Sequence, residues 1–99
     1  MITVTTSSGL VMKVDERRFN DFRVMRAYTK AFGKDKSDME RVDGITDLVQ
    51  YVLGDKEDEL FAYVADDTGY VDSTKVFNEM SDILDAMAES QPSGELKNS

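Results

Sequence analysis

The sequence predicts a mainly α domain that begins with a β-hairpin. Residues 2–14 alternate β-branched and polar side chains around a Ser-Ser-Gly step. Four later segments repeat apolar residues at helical spacing, and three of them end in glycine. The chain has 99 residues, of which 40% are hydrophobic and 32% charged, a composition that suits one modest core in a single domain of residues 1–90.

The hairpin is predicted over residues 2–14. Gly9 is available for the positive φ angle that a tight turn requires. A two-stranded hairpin is only marginally stable alone in water, so we expect it to pack against the helices that follow.

Four helices are predicted, at about residues 16–32, 37–53, 56–66 and 73–90. Ser37 and Glu40 have the spacing of a capping box at the start of the second helix. Asp15 and Asp72 are expected to be the N-caps of the first and last helices. The expected stops are Gly33, Gly54 and Gly69.

The last helix has the most regular apolar stripe, with acidic residues opposite. The predicted core consists of Phe19, Phe22, Val49, Leu53, Phe61, Val64, Val76, Met80, Ile83 and Leu84. Residues 91–99 are polar and contain the only proline, which predicts a disordered C-terminal tail.

Composition argues against several function classes. The chain has no cysteine and no histidine, so thiolate and imidazole metal sites and the common nucleophile–base pairs of hydrolases cannot be assembled. A net charge of −8 disfavours nucleic acid as a partner. No segment predicts a membrane span or a signal peptide, so we expect a cytoplasmic protein. We therefore expect no catalytic residues, no metal and no cofactor.

Residues 65–77, ADDTGYVDSTKVF, resemble a calcium-binding loop at first sight. If Gly69 held the sixth position of an EF-hand loop, Val64 would be the first ligand and Lys75 the last. Calcium requires oxygen donors at both positions, and neither residue supplies one. The segment is therefore predicted to be a turn, with Asp72 capping the helix that follows.

The order of these features resembles that of the small tail assembly chaperones of long-tailed, siphovirus-type bacteriophages and prophages. In that pattern a helix ends in a hydrophobic-Leu-Gly-Asp step, a short helix follows, and an Asp-Asp-x-Gly-x-Val turn leads into a final amphipathic helix. The matching segments here are residues 52–55, 60–65, 66–71 and 76–87. The resemblance covers about residues 1–90 and departs from the pattern at Tyr70, where the family often has a basic residue.

The resemblance implies a non-enzymatic function in the host bacterial cytoplasm. Such chaperones bind the tape measure protein and keep it soluble until the tail tube polymerises around it. The tape measure protein is thus the implied partner, the tail tube protein is a further one, and the apolar last helix would permit self-association. A longer form often arises in this family by ribosomal frameshifting, and the Leu-Lys-Asn sequence at residues 96–98 is compatible with a slippery codon run.

Five residues are candidates for contacting a partner. They are Tyr63, Tyr70, Phe77, Met80 and Met87. The two tyrosines flank the 66–71 turn and would either anchor an interface or complete the local core. The methionines would either form an adaptable groove or fill the core.

Two other function classes are alternatives to the chaperone. An acidic inhibitor that mimics nucleic acid would require carboxylates concentrated on one face, whereas here they are scattered among helix caps and outer faces. A small enzyme is disfavoured by the missing nucleophile–base pairs.

Overall fold

The chain opens with the hairpin that the sequence predicts. In the computed structural model, which describes residues 1–91, strand β1 (Ile2–Thr5) pairs antiparallel with strand β2 (Val11–Val14). Gly9 lies in the connecting turn with a φ angle of 104°, a conformation that residues with a Cβ rarely adopt. The buried side chains of the hairpin are Val4, Thr6, Leu10, Met12 and Val14. The hairpin and the role of Gly9 are confirmed.

The segment predicted as one helix, residues 16–32, is divided at Asp21. A 3-10 helix (Glu16–Asn20) precedes helix α1 (Phe22–Phe32), and the backbone of Asp21 between them is extended, with a ψ angle of 125°. The Asp21 carboxylate accepts a hydrogen bond from the backbone N–H of Arg23 at 2.9 Å and so caps α1. The prediction of a continuous helix is wrong, because an N-cap residue must leave the helical conformation.

The same Asp-x-Arg arrangement starts both of these helical segments. Asp15, the predicted N-cap, accepts a hydrogen bond from the backbone N–H of Arg17 at 3.1 Å, which confirms its role. In each pair the guanidinium also donates two hydrogen bonds to the carboxylate. The Arg17 and Arg23 hydrogen bonds lower the pKa of Asp15 and of Asp21 to about 2.

Helix α2 (Asp38–Leu48) begins with the predicted capping box. The Ser37 hydroxyl accepts a hydrogen bond from the Glu40 N–H at 3.2 Å, and the Glu40 carboxylate accepts one from the Ser37 N–H at 3.1 Å. The helix continues as one π-helical turn (Val49–Leu53) and stops at Gly54, whose φ angle is 56°. The capping box and the Gly54 stop are both confirmed.

Helices α1 and α2 approach each other closely at Gly44. A Cβ on this residue would lie 2.5 Å from the backbone nitrogen of Ala31 and 2.7 Å from the carbonyl oxygen of Ala27. Val24, Ala27 and Ala31 form the buried face of α1. Small residues on both helices therefore allow the two backbones to come together.

The second half of the domain consists of helix α3 (Glu57–Val64) and helix α4 (Ser73–Glu89), which follow a short 3-10 turn (Gly54–Lys56). Asp72 caps α4 by accepting a hydrogen bond from the Thr74 N–H at 2.9 Å, as predicted. The apolar stripe of α4 lies in the centre of the core. Its fully buried members are Met80, Ile83, Leu84 and Met87.

The predicted class, mainly α with an N-terminal hairpin, is confirmed, but the predicted core needs one correction. Phe22 lies at the surface, with 69% of its area exposed. Phe19 and Phe61 are half-buried beside the core, and the other predicted core residues are buried.

Gln91, placed in the tail by the sequence analysis, follows α4, where its amide donates hydrogen bonds to the carbonyls of Glu16 and Met87. Residues 92–99, the rest of the predicted tail, lie outside the described residues.

Candidate protein-binding surface

Helix α1 exposes three large apolar side chains to water. Phe22, Met25 and Tyr28 have 69%, 47% and 41% of their area exposed. Their spacing of three residues places them on one side of the helix, and Phe22 and Met25 face away from the buried Ala27 and Ala31. Single exposed apolar residues are common, but several on one helix form a surface that water solvates poorly.

Aromatic contacts extend this surface from α1 to α4. The ring centroids of Tyr28 and Phe32 are 5.1 Å apart, and those of Phe32 and Phe77 are 6.0 Å apart with the rings nearly perpendicular. Edge-to-face pairs at such distances are favourable beyond the area they bury. We call the run of Met25, Tyr28, Phe32 and Phe77 the aromatic strip.

Two apolar grooves adjoin the aromatic strip, one at Met25 and Tyr28 and the other at Phe77. The first, with a volume of 210 Å³, has Met25 and Tyr28 in its wall. The second, with a volume of 190 Å³, has Phe77 in its wall. The remaining lining residues of the first groove are Phe19, Val24, Thr29 and Leu84. Those of the second are Val42, Ile45, Thr46, Val49, Glu57, Phe61, Val71, Ser73 and Val76.

Two of the five predicted contact residues are not accessible. Met80 and Met87 have no exposed area, so the interpretation of these methionines as a groove is wrong and they fill the core. The stripe of α4 is covered by the other elements and forms part of the core. Phe77, at the edge of this stripe, is half-buried and remains a candidate.

Tyr63 and Tyr70 are exposed but lie outside the aromatic strip. The Tyr63 hydroxyl donates a hydrogen bond to the carbonyl oxygen of Ser8 at 2.7 Å, and so ties α3 to the hairpin turn. Tyr70 has 64% of its area exposed and lines neither apolar groove. Of the five predicted residues, only Phe77 therefore belongs to the strip.

Helical periodicity predicted that Phe22 is buried, whereas Phe22, Met25 and Tyr28 are exposed. The small residues at 24, 27 and 31 have the same helical spacing, so α1 offers two stripes that compete for burial. Gly44 is the feature that could have decided between them, because a helical glycine often marks a close approach of another backbone.

Carboxylates on α4 hold the hairpin turn. Asp82 accepts a hydrogen bond from the Ser7 N–H at 2.8 Å, and Glu79 accepts one from the Ser8 hydroxyl at 2.7 Å. Glu79 is buried, and its second carboxylate oxygen has no hydrogen-bond partner within residues 1–91. These residues line an open cavity of 860 Å³, and their hydrogen bonds position the hairpin against the helices.

The segment that resembled a calcium loop is a turn. The Asp66 carboxylate accepts hydrogen bonds from the N–H groups of Thr68 and Tyr70 and from the Thr68 hydroxyl. These bonds, led by that of the Thr68 side chain, lower the pKa of Asp66. Gly69 has a φ angle of 88°, as a turn after α3 requires. Within residues 1–91 no cluster of acidic residues could hold a metal ion.

Comparisons of the chain with protein-family models, curated proteins and solved structures find no match. None of the helices within the described residues is long and apolar enough to cross a membrane.

Proposed function

We propose that this chain is a non-enzymatic protein-binding factor that acts as a phage tail assembly chaperone. Its partner is the tape measure protein, which it keeps soluble in the cytoplasm of the host bacterium. The observation that carries the proposal is the aromatic strip, a partly exposed apolar surface that joins α1 to α4 and adjoins two apolar grooves. The sequence resemblance supplies the identity of the partner.

The strip has the size and chemistry for a helix. Helix α1 has 11 residues, which corresponds to a length of roughly 16 Å, or three turns. An amphipathic partner helix lying along it would place apolar residues over Met25 and Tyr28 and into the adjacent grooves. Tyrosine and phenylalanine bury large areas with little loss of conformational entropy, which makes them effective anchors.

The net charge of −8 suits a chaperone as well. A protein that covers an aggregation-prone helix must itself stay soluble, and like charges keep complexes apart.

Co-expression with the tape measure protein of the same phage or prophage genome tests the proposal. We expect the tape measure protein to be soluble and to co-purify with this chain, and Tyr28→Ala to abolish both effects. Tyr70→Ala is the matched control, since Tyr70 is an exposed tyrosine outside the strip. A tape measure protein that is equally soluble without this chain would refute the chaperone function. If Tyr70→Ala reduces co-purification more than Tyr28→Ala does, the choice of surface is refuted.

A further inference from the structure

Helix α1 carries a basic face beside its exposed apolar residues. Arg23, Arg26 and Lys30 are spaced by three and four residues and line one shallow cavity of 200 Å³. The guanidinium of Arg26 lies over the ring of Phe22, 5.9 Å from its centroid. Arg26 therefore borders the exposed apolar side of α1 at Phe22, whereas Lys30 lies nearer to α2, with its Cβ close to Gly44.

Acidic residues of the chain neutralise this basic face only in part. Arg23 pairs with Asp21 at 2.8 Å, whereas Arg26 and Lys30 form no ion pair within the described residues. The single carboxylate in the cavity wall is that of Asp47. The Ser37 hydrogen bonds are the main cause of the lowered pKa of Glu40, and the charges of Lys36 and Lys30 make smaller contributions.

The basic face contrasts with the charge of the rest of the molecule. Residues 1–36 carry eight basic and four acidic side chains, a net charge of +4. Residues 37–91 carry three basic and 15 acidic side chains, a net charge of −12. Arg26 and Lys30 therefore belong to a net positive segment of an acidic chain, and charges of the partner that lie next to them would select among partners.

We infer that the exposed apolar side of α1, formed by Phe22, Met25 and Tyr28, receives an amphipathic helix whose apolar stripe is bordered by carboxylates on the edge that faces Arg26. The inference rests on the proposed function and adds the chemistry of the partner to it. Apolar contacts with Met25 and Tyr28 supply most of the affinity. The carboxylates set the orientation of the helix and exclude basic-edged helices, because unlike charges at the rim of an interface attract and like charges repel.

Three designed helical peptides test the inference. All three carry the same leucine stripe, and its edge consists of Glu in the first, Gln in the second and Lys in the third. Fluorescence anisotropy measures their binding to the full chain. We expect the Glu-edged peptide to bind about tenfold more tightly than the Lys-edged one at low salt. The difference should nearly vanish at about 1 M salt, where the screening length is roughly 3 Å.

Charge reversal on α1 provides the matched comparison. The double variant Arg26→Glu, Lys30→Glu should bind the Lys-edged peptide more tightly than the Glu-edged one. The control Lys34→Glu, Lys75→Glu changes the net charge equally at residues that line neither apolar groove nor the basic cavity, and should keep the original order. Circular dichroism verifies that both variants are folded.

The outcomes separate the inference from the proposed function. Equal binding of the three peptides, or tighter binding of the Lys-edged one, overturns the inference and leaves the protein-binding function standing. Binding of none of them counts against both. Tight binding to anionic phosphatidylglycerol vesicles without a preference among the peptides also overturns it, since the basic face would then serve a membrane surface.

Discussion

Replacing Gly44 with alanine should destabilise the fold, although alanine is the better helix former. In a solvent-exposed helix the substitution would stabilise by about 1 kcal/mol. At this site the new Cβ would lie 2.5 Å and 2.7 Å from backbone atoms of Ala31 and Ala27, and 2.8 Å from the Cβ of Lys30. Backbone atoms cannot rotate away, so α1 and α2 must move apart.

The magnitude follows from how far the helices must move. An ordinary Cβ contact begins at 3.4 Å, so α1 has to shift outward by nearly one ångström along its whole contact with α2. Overpacking of this kind typically costs about 1–3 kcal/mol. For a domain of this size a loss of 2 kcal/mol lowers the Tm by roughly 8–16 °C.

Urea denaturation followed by circular dichroism measures this effect. Asp43→Ala is the control, since Asp43 is exposed and adjacent in α2, and it should leave the free energy of unfolding the same or slightly higher. A Gly44→Ala variant as stable as the wild type would refute the close approach of the two helices, and with it the reason that α1 presents its aromatic residues to water.

Three further predictions concern polar contacts. The carboxylates of Asp15 and Asp21 should titrate with midpoints of about 2 instead of 3.8 in carboxyl NMR. Because folding lowers these pKa values, the stability that the two ionised carboxylates contribute is complete above about pH 4 and is lost as the pH falls through 2. Glu79→Gln should raise the free energy of unfolding by up to about 1 kcal/mol, because the amide oxygen can keep the Ser8 hydrogen bond while a neutral NH2, which costs less to bury, replaces the carboxylate oxygen that has no partner. Tyr63→Phe should cost about 0.5–1.5 kcal/mol, since the Ser8 carbonyl loses a hydrogen bond, and should speed hydrogen exchange in the hairpin.

Each of these predictions has its own contradicting result. Carboxyl midpoints that stay the same in Arg17→Gln and Arg23→Gln variants would show that the ion pairs do not form in solution. A Glu79→Gln variant less stable than the wild type would show that burial of the Glu79 carboxylate does not destabilise the fold. A Tyr63→Phe variant with unchanged hairpin exchange would show that the α3 contact does not hold the turn.

Local features of the fold could be predicted because they depend on neighbouring residues. The hairpin, the Ser37–Glu40 capping box and the caps at Asp15 and Asp72 each follow from a few side chains and their own backbone. Asp21 interrupts the helix by the same N-cap hydrogen bond that Asp15 forms. The apolar periodicity continues on both sides of Asp21, so the sequence pattern did not reveal this break.

The binding surface could not be predicted in the same way, because burial is a property of the packed molecule. Helix α1 has a large aromatic stripe and a small-residue stripe, and hydrophobicity alone favours burying the first. The structure buries the second, since Gly44 lets α2 approach only small side chains. Met80 was predicted as a contact residue because no local feature of the sequence shows that other elements cover the apolar stripe of α4.

The methyl groups of methionine offer the most direct test of the claim that the exposed strip on α1 and α4 is the binding surface. The chain has six methionines, and selective carbon-13 labelling gives each one a resolved NMR signal. Adding the tape measure protein or the Glu-edged peptide should shift and broaden the Met25 signal. The signals of Met39, which is 83% exposed elsewhere on the surface, and of Met80 in the core should stay in place. A response at Met39 with none at Met25 would contradict the account.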